Sequence, residues 1–128
     1  MGLREKQLVR FYIEEYLPKL DQEIYDVTGG GKVEWEVDWD SFLPSEEALK
    51  YVENMGFYLV YNALRAISYN DFGKKAVREG VKKVIVKRVT DAKQVMTKFE
   101  NGTLYFYGAW PDAWKSEDDI RRVVEDGL

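Results

Sequence analysis

Between Lys32 and Asp40, the carboxylates Glu34, Glu36, Asp38 and Asp40 alternate with Val33, Trp35, Val37 and Trp39. A two-residue period places all of the acids on one side of an extended strand, roughly 6.5–7 Å between successive members. Such a row has three chemical uses. Asp38-Trp39-Asp40 is a DxD triplet of the kind that holds a divalent cation through hard oxygen ligands. Carboxylates at this separation also match an inverting glycosidase pair. A solvated acidic row, finally, steers and holds a basic partner. No further ligand marks a cation cage, and any acidic strand offers the glycosidase spacing. The third use is therefore retained, with no metal, cofactor or catalytic residue assigned.

Other motifs carry less. Gly29-Gly30-Gly31-Lys32 departs from a phosphate loop: Asp26 stands where the first glycine belongs, Val33 replaces the hydroxyl residue, and a strand follows instead of a helix. Asp71-Phe72-Gly73 matches the kinase magnesium triplet without the loops that accompany it. Asn101-Gly102-Thr103 is a glycosylation sequon whose better explanation is a hairpin turn. The chain has no His and no Cys, which excludes thiolate or imidazole zinc sites, disulfides and His- or Cys-based triads.

Aromatic residues are abundant, with 4 Trp, 9 Tyr and 6 Phe. Trp35 and Trp39 are expected to point inward. Tyr105, Tyr107, Trp110 and Trp114 cluster around the last strand and an irregular segment, where large rigid side chains with a polar handle suit recognition. The candidate partner-binding set is thus Glu34, Glu36, Asp38, Asp40, Tyr105, Tyr107, Trp110 and Trp114.

The elements that position these residues follow from periodicity. Residues 3–27 carry a helical apolar stripe (Val9, Ile13, Tyr16, Leu20, Ile24), with Pro18 predicting a kink or two abutting helices. Residues 32–40 read as a strand covered on one face only. Ser45 caps a helix that continues through Gly56 into a central, largely apolar stretch ending near Ile67, and Asn70 or Asp71 caps a short piece to Gly80. Residues 81–89, 93–99 and 103–107 read as strands, the last two joined by the Asn101-Gly102 turn and all three arranged as a meander. Ser116 starts a final helix. The predicted fold is a single α+β domain of 128 residues in the order α-β-α-β-β-β-α. Its sheet is expected to have about four strands, mostly antiparallel, with helices packed on one face.

Charge is uneven. The first 64 residues carry 6 basic and 13 acidic side chains, net −7, whereas the remainder carry 13 and 10, net +3. Nine Lys or Arg fall within residues 74–98. They are expected to lie beside the acidic strand, with Lys82, Lys83, Lys87 or Arg88 facing its carboxylates; aromatics do not interleave with them as in single-strand nucleic-acid binders, so nucleic acid is disfavoured. The longest apolar run, Phe57–Tyr61, is far below the ~20 residues of a membrane span. The first residues show no secretory apolar segment, which makes the cytoplasm the default.

These features favour a non-catalytic interaction module that masks a basic protein partner, by class analogy with acidic inhibitors and immunity-type proteins. The alternative is a small-molecule binder or carboxylate/Tyr enzyme with a pocket between the sheet and the central helix, lined by Tyr58, Tyr61 and Tyr69. Homodimerisation through an exposed sheet edge is a further option.

Overall fold

The computed structural model describes residues 2–128. The N-terminal stripe forms α1 (Leu3–Phe11) and α2 (Leu17–Thr28), joined by a wide π-turn at Tyr12–Tyr16. That turn solves the problem of Pro18, which has no amide to give Glu14. Closing the turn with the Leu17 N–H on the Tyr12 carbonyl carries the chain past the proline.

Strand β1 (Glu34–Asp38) is shorter than the alternation suggested. From Trp39 the chain winds into a 3-10 turn to Phe42, with the Asp38 carboxylate accepting the Ser41 N–H at 3.2 Å. Helix α3 (Glu46–Val52) starts where the Ser45 hydroxyl accepts the Ala48 N–H at 3.0 Å, as expected of an N-cap. A second π-turn, Glu53–Phe57, leads into α4 (Tyr58–Ile67), and Asn70 caps α5 (Asp71–Gly80).

The remaining elements are β2 (Lys83–Arg88), β3 (Met96–Glu100), β4 (Thr103–Gly108) and α6 (Glu117–Gly127). Asn101 (φ 52°) and Gly102 (φ 79°) both lie at positive φ, the requirement of the type I′ hairpin between β3 and β4. At the start of α6 the Ser116 hydroxyl accepts the Asp119 N–H at 3.1 Å, while the Asp119 carboxylate accepts the Ser116 N–H at 3.2 Å. Ser116→Ala is expected to cost about 1 kcal/mol, measured as a lowered urea midpoint at unchanged slope.

The four strands form one sheet in the order β1-β2-β4-β3, with helices on one face, as predicted for an α+β domain. Among the last three strands, pairing departs from the expected meander, because β4 and not β3 lies beside β2. β1 and β2 run parallel, as do β2 and β4, and only β3–β4 is antiparallel. The sheet is therefore mixed rather than mostly antiparallel. Two physical reasons account for this. The three helices between β1 and β2 supply the long crossover a parallel pair needs. Strand β4, whose Leu104 and Phe106 are fully buried, takes the position between β2 and β3, while β3, with exposed Lys98 and Glu100, suits an edge.

The buried residues make one cluster. Val84 and Val86 of β2 and Leu104 and Phe106 of β4 meet Val60 and Leu64 of α4 and Ile120 and Val124 of α6, all fully buried. Among the described residues, no helix is long and apolar enough to cross a membrane.

Candidate functional site

The face of the sheet away from the helices is open. Register aligns its side chains in three rows: Glu34, Lys83, Thr103 and Glu100; Glu36, Ile85, Tyr105 and Lys98; Asp38, Lys87, Tyr107 and Met96. Of the candidate residues, Glu34, Glu36, Asp38, Tyr105 and Tyr107 thus share one surface. The acids are fully on the exposed side, and the tyrosines are half-buried. Lys83 and Lys87 lie on the same surface beside the acidic strand, as expected, and so do Ile85, Met96 and Lys98, which were not singled out from sequence. The signal for Ile85 was there in the alternation Lys83-x-Ile85-x-Lys87, which reads as the acidic row does.

Of the seven charged side chains on this face, four are paired and Glu34, Asp38 and Lys87 have no ion-pair partner among the described residues. Lys83 Nζ lies 3.5 Å from the Glu36 carboxylate, and Lys98 Nζ lies 3.6 Å from that of Glu100. Lys98 also sits 4.9 Å above the Tyr105 ring, and Lys87 lies 5.7 Å from the Tyr107 ring centre, within cation–π range. Neighbouring basic residues serve the fold: Arg78 donates to the Thr28 carbonyl, Lys82 to the Arg78 carbonyl, and Arg88 to the Trp110 carbonyl. Among the described residues, Glu34, Asp38 and Asp40 form no ion pair.

Three candidate residues lie elsewhere. Asp40 is exposed but falls in the 3-10 turn, so it does not continue the strand row, and the DxD carboxylates do not share a strand face. Among the described residues no three His, Cys, Asp or Glu side chains gather to hold a metal ion. Trp110 is a core residue and is unavailable to a partner. It is fully buried, stacked on Phe42 at 5.8 Å and edge-on to Phe106 at 5.4 Å, with its indole N–H donating to the Met55 carbonyl at 2.8 Å. An apolar ring with one donor is stable inside when that donor finds a carbonyl, and Met55, inside the second π-turn, provides one. Trp114 is half-buried against the core, 6.2 Å from Tyr51 of α3, on the helix side of the sheet.

The space between sheet and central helix is filled by the buried aliphatic residues described above. The tyrosines proposed to line a pocket there do not converge: Tyr61 is buried beneath Arg65, Tyr58 is partly exposed and Tyr69 is 82% exposed. Two other tyrosines are structural. The Tyr12 hydroxyl donates to the Leu49 carbonyl at 2.6 Å and is pushed well above the usual phenol range by burial, while Tyr16, beside Glu53, is pushed up to about 12 by burial. Both stay protonated at neutral pH.

Behind the acidic row, the Trp35 indole N–H donates to the Asp21 carboxylate at 2.6 Å. Desolvation raises the Asp21 pKa, and the hydrogen bond from Trp35 offsets this only in part. An acid whose folded-state pKa is raised contributes stability that is complete at low pH and is lost as pH climbs through that raised value. Asp21→Asn, which keeps an acceptor for Trp35 without the charge, is therefore expected to raise Tm at pH 7. The gap should close in melts recorded below the carboxylate range.

Comparison of the chain with protein-family models, curated proteins and solved structures gives no match.

Proposed function

We propose that this protein is a non-catalytic interaction module that captures a basic protein partner through the acidic row of β1 and the turn after it, with Glu34, Glu36, Asp38 and Asp40 as the contact charges. One observation carries the reading: among the described residues two of the three lysines of the open face are paired within the fold, Lys83 with Glu36 and Lys98 with Glu100, whereas Glu34, Asp38 and Asp40 have no ion-pair partner and together outweigh the one unpaired lysine, Lys87. Charge left unmatched on a rigid strand steers encounter with an oppositely charged surface and fixes its register. Tyr105 and Tyr107 lie two strands away on the same face and supply rigid contact area at its centre.

Single-stranded nucleic acid is disfavoured as a partner, since Lys98 pairs with Glu100 and Lys98 and Lys87 lie over the ring faces of Tyr105 and Tyr107. The test is capture of basic proteins from the source cell by the native chain and by the Glu34→Gln, Glu36→Gln, Asp38→Asn, Asp40→Asn variant. Loss of capture with an unchanged circular dichroism spectrum supports the proposal. Equal capture by both proteins refutes it.

A further inference from the structure

Strand β1 is an edge strand, and its outer side is unfinished. The Glu34 amide donates to the Lys82 carbonyl at 2.9 Å, so Glu34, Glu36 and Asp38 turn their backbone groups toward β2. The alternation of a parallel ladder then turns the N–H and C=O of Trp35 and Val37 to the free side. Side-chain burial is incomplete there too. On the helix-facing side, β2 and β4 bury Val84, Val86, Leu104 and Phe106 fully, whereas Trp35 and Val37 of β1 are only partly buried against the core. They face a groove of about 280 Å³ whose other wall includes Ile13, Leu17, Pro18 and Asp21. Ile13 is 51% exposed in it. An edge with free backbone groups and an apolar trough beneath it is the geometry used when an extended segment adds to a sheet.

The chemistry of the occupant follows from the two sides of that edge. A strand laid against β1 would send alternate side chains to the open face, beside Glu34, Glu36 and Asp38, and the others into the groove against α2. The first set should be basic and the second apolar. The fold contains a segment of this kind on the inner side of β1: β2 presents Lys83 and Lys87 to the acidic row and Val84 and Val86 to the core, and Lys83 pairs with Glu36. A second copy of the chain is a poor occupant. Antiparallel β1–β1 pairing in a continuous sheet sets two acidic rows side by side on one face, and like charges across neighbouring strands are destabilising.

We propose that the free edge of β1 takes up an extended segment of the basic partner as a fifth strand, with Lys or Arg side chains beside Glu34, Glu36 and Asp38 and apolar side chains in the groove beside Trp35, Val37 and α2. The proposal rests on the acidic-row reading and adds to it the mode of binding. About five residues, at roughly 3.3 Å each, span the strand.

The test uses the full chain and a synthetic peptide with the sequence of residues 82–88, Lys-Lys-Val-Ile-Val-Lys-Arg. Two companion peptides carry N-methyl groups on every second amide, one in each phase. Nuclear magnetic resonance titration gives affinity, and amide hydrogen exchange reports on Trp35 and Val37. Edge pairing is expected to slow exchange of both amides at least tenfold, and one methylated phase should bind at least tenfold more weakly than the other. Absence of binding at millimolar peptide overturns the inference. So does equal binding of all three peptides without protection at Trp35 and Val37, an outcome that leaves electrostatic capture by the acids standing. Protection in the absence of peptide, together with sedimentation as a dimer, assigns the edge to a second copy and also overturns it. If the four-fold acid-to-amide variant binds the peptide as tightly as the native chain, with the same protection, edge pairing stands and the acidic-row reading falls.

Discussion

Trp110→Ala is expected to lower folding stability by about 3–5 kcal/mol, the range for truncating a large aromatic residue in a packed core. The side chain is fully buried between Phe42 and Phe106, so its removal leaves a void and takes ring contacts from both. It also leaves the Met55 carbonyl without its indole donor inside the protein. Against the 5–15 kcal/mol typical of a domain this is a large fraction, and Tm should fall by about 10 °C or more. Trp114→Ala, at a half-buried site, should fall by much less. Thermal melts of the two variants check the assignment directly, and a Trp110→Ala protein as stable as the native chain would contradict it.

The four-fold variant Glu34→Gln, Glu36→Gln, Asp38→Asn, Asp40→Asn has the second large expected effect, on binding rather than on folding. All four side chains are exposed, and surface substitutions of this kind usually stay within about 0.5 kcal/mol. Among the described residues only the Glu36–Lys83 bridge is lost, a surface pair worth about 0–1 kcal/mol. Relief of repulsion along the row acts in the opposite direction. Affinity for the basic partner should nonetheless drop at least tenfold at low salt, because a factor of ten corresponds to only about 1.4 kcal/mol spread over four contacts. Native binding should weaken as ionic strength rises, while the residual binding of the variant should respond little. Titrations at two salt concentrations separate this from a folding defect.

Much of the fold was legible in local sequence because local physics decides it. The Val33–Asp40 alternation identified an exposed acidic side and a covered aromatic side. Ser45, Asn70 and Ser116 marked three helix starts that hold in the structure. Asn101-Gly102 announced its turn. What was not legible depends on contacts distant in the chain. Nothing in residues 81–107 states that β4 lies between β2 and β3, since short links permit either arrangement. Trp110, in a segment without periodicity, gave no sign of its direction. Its destination is encoded by residues that make room for it: a Cβ at Gly108 would meet the Trp110 ring at 2.6 Å, and one at Gly56 would meet it at 3.3 Å. In sequence, Gly108 simply follows the strand 103–107 and Gly56 lies within a helix, and neither announces the indole packed against it. For the candidate surface, the acids, Tyr105, Tyr107 and the position of Lys83 and Lys87 beside the acidic strand were legible, but Ile85, Met96 and Lys98 joined them only with the strand register.

The claim on which the functional reading depends is that unmatched carboxylates of β1 and its following turn touch the partner. Zero-length carbodiimide cross-linking in source-cell extract, followed by mass spectrometric mapping, tests it most directly, because a link through an acid of this chain joins that carboxylate to a partner lysine in direct contact with it. The account predicts links concentrated at Glu34, Asp38 and Asp40. Partner links confined to carboxylates of the helical side, such as Glu14, Glu47 or Glu125, with none on the acidic row, would contradict it.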